Sequence, residues 1–449
     1  MITEESATHE SGEGAFMHSL ARRLWPIHRS ITGDGVRTTL AALKEYVPDL
    51  VMHEVPTGRH VFDWTIPQEW VIRSAKLIDP DGNTVVDIAD NNLHVVGYST
   101  PINDEFSLDE LQEHLHSIPE QPDAIPFVTS YYHRNWGFCL SHRQRESLKP
   151  GTYRAVIDSK HIQGSLTYGE VILPGRVKDE IFLSTYVCHP SLANNELSGP
   201  VVAIALARWL TALTNRHYTY RIVFLPESIG AITYTSQHLA ELKRNVVAGF
   251  QLTCIGDDRA FTYLASRNGN HRIDRIVKRV LKDRPNLRQY SYLQRGSDER
   301  TYSSAGVDLP VVSIMRSRYG DYPEYHTSLD DLDAVVTPSG LQGGLDAVRE
   351  CIRVLEESPV LLTANYGEPQ LGPRGLYHTM LNKHTSDEVM LRTNILAYAD
   401  GQHDLADIAE LCGTDAALIE TMVLELENHS LISRTKQSNH LKPGKPLTE

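Results

Sequence analysis

From about Ala15 to Val47, apolar positions recur at helical spacing in FMHSLARRLWPI, stop at RSITGDG and resume in VRTTLAALKEYV. This predicts a helix, a loop and a second helix. The period then changes. EWVIRSAKLID, NTVVDIAD and LHVVGYS are short, partly alternating runs rich in Val and Ile, broken by PDGN and ADNN, which is the pattern of an all-β unit. Between Ile125 and Leu140 stand Phe127, Tyr131, Tyr132, Trp136 and Phe138. Such a density of aromatics reads first as a packed sheet face and second as a binding surface.

From Gly151 strand-like and helix-like segments alternate: YRAVIDS, GEVILPG, EIFLSTYV, the helical GPVVAIALARWLTAL, then TYRIVFLP and VAGFQLTCIG. HRIDRIVKRVLKD, VDLPVVSIM and LQGGLDAVRECIRVLEE continue the alternation, which predicts an α/β domain with a mixed, mostly parallel sheet flanked by helices. ESPVLLTANYGEPQLGPRG, with three prolines and three glycines, reads as a linker. Beyond it, DEVMLRTNILAYADG, HDLADIAELCG and DAALIETMVLELENHSLI supply three amphipathic helices, and SLISRTK begins a wing. The expected division is therefore 1–55 with 151–360 for the α/β domain, 56–150 for an inserted β-rich unit, 361–376 for a linker and 377–449 for a winged-helix module.

Composition narrows the class. At 449 residues the chain exceeds one ordinary domain, and 41% apolar with 22% charged residues is the balance of a globular protein. A formal net charge of −14 repels phosphate backbones. The third helix of the last module, with Glu420, Glu425 and Glu427, lacks a basic face for a duplex. Nucleic acid is thus disfavoured, and protein contact or self-association through the winged-helix or β-rich unit is expected. No apolar run reaches the ~18 residues of a membrane span, and MITEESATHESGEGAF lacks a basic segment followed by an apolar one. A cytoplasmic protein without a membrane partner is expected. The five cysteines are odd in number, widely spread and form no CxxC pair, which predicts reduced thiols.

Three segments carry candidate chemistry. In STYVCHPSLANNELSGP a strand ends at His189 and leads into a polar turn with Asn194, Asn195, Glu196 and Ser198, a common layout at the carboxyl edge of open α/β sheets. YRIVFLPESIGA sets Glu227 directly after a buried strand, as a general base or, equally, as a helix cap or arginine partner. RSRYGDYPEYHTSLDDLDAV holds Tyr325 and His326 in a polar turn, ahead of Asp330, Asp331 and Asp333, which read as structural acids of a following helix. Histidines and carboxylates converging from separate loops are how zinc hydrolases build a site with an open position. Cys188 precedes His189 on the strand and is expected on the opposite face, in the core.

CHPSLANNELSG, FLPESIGA and EYHTSLDDLD, in this order, resemble the histidine, DNxSG-like, EExG and YHTxxD segments of the co-catalytic zinc aminopeptidases. LWPIHRSITGDGV, VFDWTIPQEW, DNNLHVVGYSTP, SYYHRNWGFCLSH, LTCIGDDRAFTYL and RGSDERTY extend the resemblance to an uncharacterised aminopeptidase-like family over about Phe16 to Ser433. That resemblance implies a zinc-aminopeptidase-like fold with an inserted jelly-roll-like domain and a carboxyl-terminal winged helix. It implies a metal-dependent hydrolase acting on a small peptide-like or amide substrate, and the family's frequent company with polysaccharide biosynthesis hints at a modified-sugar or peptidyl-sugar amide. His189 and His326 match the two histidine ligands, and Glu227 the general base. The second glutamate falls on Ser228, the bridging aspartate on Asn195 or Glu196, and the aspartate of the DMxG segment on Thr253. These departures imply one zinc ion, held by His189, Glu196 and His326, rather than a tight pair. Asn195, Asp257, Asp258, Arg295, Asp298 and Tyr325 are the expected substrate-binding residues. A descendant that keeps the fold as a binding or scaffold protein is the alternative, and a winged-helix regulator a more distant one.

Overall fold

Helices α1 (Glu13–Leu24) and α2 (Asp34–Lys44) form where the apolar spacing predicts them, and they bury Met17, Leu20, Leu24, Val36, Leu40 and Leu43. The computed structural model describes residues 12–377 and 387–436. Both helices pack on one face of an eight-stranded sheet made of β1 (Val51–Pro56), β2 (Ser165–Leu173), β3 (Glu180–Tyr186), β4 (Thr219–Leu225), β5 (Val246–Leu252), β6 (Phe261–Leu264), β7 (Leu287–Tyr290) and β8 (Val311–Met315). The order is β1-β2-β4-β3-β5-β8-β6-β7. β4, β3, β5 and β8 run parallel, whereas β2 pairs antiparallel with β4 and β6 antiparallel with β8. Every residue of β3 is buried, as expected of a central parallel strand covered on both faces. The covering helices are α3 (Ser198–Ala212), α4 (Ile229–Asn245), α5 (Arg272–Leu281) and α6 (Pro338–Glu357).

The insertion between β1 and β2 is longer than its composition suggested. Strand Thr152–Ile162, expected in the α/β domain from residue 151 onward, instead pairs with Glu69–Ile78 and Ile102–Ser107 in the insertion's own sheet. Its alternating burial fits that half-covered antiparallel sheet, so the boundary moves to about Gly164. This sheet has four strands, and two short two-stranded pairs accompany it. Two packed four-stranded sheets, as a jelly roll requires, are not found among the described residues.

The expected linker also begins too early. Val360–Thr363 is the central strand of a three-stranded antiparallel sheet, between Asp400–Asp404 and Ile432–Thr435. With α7 (Asp387–Tyr398), α8 (Leu405–Cys412) and α9 (Ala416–Asn428) it forms the winged-helix module, whose flanks 378–386 and 437–449 lie outside the described residues. The module docks on α5: Arg279 Nη2 lies 2.6 Å from Asp404 and Arg275 Nε 3.0 Å from Asp407, both carboxylates being buried. Arg279→Ala should cost this contact about 2 kcal/mol. The expected result is an earlier transition of the carboxyl-terminal module in urea, read by hydrogen exchange of α8, with the sheet's own midpoint unmoved. No helix among the described residues is long and apolar enough to cross a membrane.

Candidate active site

The parallel strands finish on one edge, and the segments following them build the site there. β3 leads to Cys188 and His189, and β4 leads to Glu227. Ser228 turns the chain into α4 with φ 61°, and His326 sits at φ 59°. Both are non-glycine residues in the left-handed region, which costs of order 1–3 kcal/mol and is characteristic of functional turns.

His189 is buried and gripped from two sides. Its Nδ1 lies 2.8 Å from Glu196 Oε2 and 3.4 Å from Cys188 Sγ, while its Nε2 lies 3.4 Å from Glu227 Oε2. Cys188 is thus beside the imidazole and not on the opposite face, because the chain has left β3 and strand alternation no longer applies. Burial opposes charge on His189, yet the net shift is upward. Since burial also pushes the Cys188 thiol to about 11 and keeps it protonated, the Glu196 carboxylate is what favours the imidazolium. Glu196 is itself buried, with Arg29 Nε 3.6 Å from its Oε1. Arg29 donates from Nε to the His189 carbonyl at 2.9 Å and from Nη1 to the Leu24 carbonyl at 2.8 Å.

The turn carrying Glu196 is a single π-helical turn, Ala193–Leu197, pinned by Asp330. The Asp330 carboxylate accepts from the backbone N–H groups of Asn194 and Asn195 at 2.8 and 2.9 Å, and its carbonyl from that of Ala193 at 2.8 Å. Asp330 is therefore structural, but not as the first turn of a helix: α6 starts only at Pro338, capped by Thr337. Burial pushes its carboxyl up to about 7 against the pull of those two N–H groups. Asn195 donates to the Tyr186 hydroxyl at 2.9 Å, and its Oδ1 is buried without a hydrogen-bond partner. Thr253 bonds both the Tyr186 hydroxyl and, at 2.9 Å, the Asn195 carbonyl.

His326 arrives from the opposite side, with its ring centroid 5.8 Å from that of His189. Its Nε2 is buried without a partner, and burial pushes its pKa down to about 3, helped by His189. Tyr325 stacks on it at 3.9 Å. Phe127, from the insertion, meets both imidazoles edge-on or tilted, at 5.2 and 5.3 Å. Its backbone N–H donates to the His326 carbonyl at 2.9 Å, and Ser328 N–H to the Ile125 carbonyl at 2.9 Å. One member of the aromatic cluster thus lines the site instead of a sheet face.

Burial raises the Glu227 pKa, while His189 and then Arg300 pull it down. Asp298, raised well above the carboxylate range by burial and by Glu227, accepts the Ser228 backbone N–H at 2.8 Å. Three expected substrate residues lie elsewhere. Asp257 is consumed by the Asn194 amide, Ser317 and the Arg259 backbone, at 2.8–2.9 Å each. Asp258 receives the hydroxyls of Thr337 and Ser339 at the start of α6. Arg295 is exposed and lies over the Tyr292 ring at 4.6 Å. Arg29 was not singled out from sequence and carried no signal there, whereas Phe127 stood in the aromatic cluster and Arg300 in the polar run LQRGSDERTY, which reads equally as a holder of a substrate carboxylate or amine and as a paired surface cluster.

Two donor groups share His189. On the Nδ1 side, ligand atoms of Cys188, His189 and Glu196 lie within 4.8 Å of one another, all buried. On the Nε2 side stand Glu227, whose side chain is 22% exposed, and the ring of His326. The first group is wholly buried, whereas the second is partly exposed at Glu227 and His326.

Residues 18–358 match a family described as a domain of unknown function, DUF4910, and residues 359–434 match a winged helix-turn-helix family. A Clostridium acetobutylicum protein, named as a polysaccharide biosynthesis protein with aminopeptidase-like domain, is 41% identical over 411 residues, 91% of this chain and 93% of that protein. A crystal structure of a Clostridium acetobutylicum protein named as a peptidase superposes with a TM-score of 0.81 at 38% identity, over 95% of this chain and 98% of that one. The zinc aminopeptidase BSAP from Bacillus subtilis gives 0.57 at 12% identity, covering 78% and 95%. A Shewanella amazonensis peptidase M28 precursor gives 0.52 at 12%, covering 78% and 98%. At those identities the likeness to the last two shows the fold alone: an aminopeptidase-like α/β architecture.

Proposed function

The chain belongs to the family described as domain of unknown function DUF4910, and from that premise we propose a metal-dependent hydrolase of the aminopeptidase type that cleaves an amide or peptide bond in a small substrate. The observation that carries the reading is the buried, partnerless Nε2 of His326 on a ring 5.8 Å from His189, beside Glu227. A buried imidazole nitrogen without a partner is costly unless something else completes it.

The donors suit one zinc ion. His189 and His326 would hold it through Nε2, with the partnerless Oδ1 of Asn195 as third donor. Glu196 was expected as that third ligand, but it already accepts the Nδ1–H of His189. It then acts as the carboxylate that fixes the tautomer and orientation of a ligand histidine. A zinc ion held by these residues would supply Lewis acidity towards a substrate carbonyl and would lower the pKa of water to about 7. Glu227, with its pKa raised by burial, takes the proton of the attacking water and returns it to the departing amine. The name of the Clostridium relative, which points to polysaccharide biosynthesis, supports an amide carried on a sugar or peptidyl-sugar as substrate.

Elemental analysis tests the reading. Wild-type protein should keep close to one zinc per chain through mild dialysis, and His326→Ala should lose it, with affinity lowered at least about tenfold, the lower bound for a disturbed metal shell. A non-catalytic binding protein is the second reading, favoured by Thr253, whose hydroxyl closes a hydrogen-bonded chain with Tyr186 and Asn195 where a ligand carboxylate is expected. Equal, trace zinc in both proteins selects that second reading.

A further inference from the structure

We propose that Arg300 is the substrate anchor of this site and that the substrate is an amide bearing a carboxylate close to the scissile bond. The inference rests on the hydrolase reading and names its substrate class. Arg300 lies on the short helix Glu299–Tyr302 and is exposed. Its Nη2 donates to the Ser228 hydroxyl, next to Glu227, and among the described residues no carboxylate lies within ion-pair distance of it. Most of its N–H donors are therefore free, in a planar fork that matches a carboxylate.

The neighbours reinforce the choice. Glu299, adjacent in sequence, does not neutralise it, because that carboxylate is buried and already accepts from Gly296 and Ser297 N–H and the Tyr319 hydroxyl at 2.7–2.9 Å. Asp298 is buried and turned to the Ser228 backbone. Tyr325 stacks on His326 and Tyr132 comes from the insertion, and neither hydroxyl has a hydrogen-bond partner among the described residues. The mouth beside Glu227 thus offers a guanidinium without a carboxylate partner among the described residues. A substrate ammonium would meet a like charge there, while a carboxylate completes the guanidinium fork.

The test uses the full-length protein. Calorimetry with succinate, succinamide and inorganic phosphate should show succinate binding best, and Arg300→Gln should weaken succinate at least about tenfold, the scale of a charge-assisted contact. Arg300→Lys, which keeps charge but not the fork, should fall between. With chromogenic amides of one amine, the succinyl-to-acetyl ratio of kcat/KM should drop about tenfold in Arg300→Gln. Arg300-dependent succinate binding without cleavage of any amide upholds the anchor and defeats the hydrolase reading instead. Succinate bound no better than succinamide or phosphate, or unaffected by Arg300→Gln, overturns the proposal.

Discussion

Glu227→Gln is expected to retain the fold and the zinc while lowering amide turnover by about 10²–10⁴-fold, the contribution of a positioned general base. Glutamine keeps the shape and can still touch His189 Nε2, but it cannot accept and hold a proton. Glu227 has its backbone N–H on Cys188 Sγ at 3.2 Å and a side chain only 22% exposed, so an isosteric change disturbs little packing. Its charged form is disfavoured by burial, and removing that charge should leave the denaturation midpoint level or slightly higher. The checks are kcat/KM on one chromogenic amide, zinc per chain and urea unfolding of both proteins. Undiminished turnover at equal zinc removes Glu227 from the mechanism.

Arg29→Met should be the most damaging single change for stability, at about 3–5 kcal/mol, because it breaks a buried pair by taking only one partner. Arg29 is 1% exposed, so its burial already opposes the cation, and Glu196 with the carbonyls of Leu24 and His189 is what holds it charged. Without it, Glu196 keeps a buried carboxylate whose remaining hydrogen-bond support among the described residues is the Nδ1–H of His189. Adding Glu196→Gln should recover part of the loss, and the double-mutant cycle, read by denaturant unfolding, isolates the coupling. Additive losses would show that Arg29 stabilises only through the two carbonyls.

Periodicity made most of the framework legible. The helical stripe of α1 and α2, the apolar runs of β3 to β5 and the amphipathic helices of the last module all depend on local burial, which a single sequence records. Strand partnership is not local. Thr152–Ile162 alternates like any half-buried strand, and nothing in its residues says that it pairs with Glu69–Ile78 and not with β2. The same limit governs the site. His189, Glu227 and His326 stood out because each follows a strand or fills a polar turn, and they do converge. Arg29, 160 residues before His189, and Phe127, some 200 before His326, reach the site only through tertiary packing. Asp257 looked as available as Asp298 in sequence, yet four donors on three residues within its own fold consume it.

The docking of the winged-helix module has a consequence for what the protein can be attached to. Its contacts fall at the beginnings of the strands: the Tyr218 hydroxyl, just before β4, reaches the Lys436 carbonyl, and Val246, the first residue of β5, shares a small cleft with Gly401 and Gln402. His189 and Glu227 lie past the other ends of β3 and β4. Cargo tethered at the rear leaves the front doorway clear, so a fused tag or surface immobilisation belongs on that module.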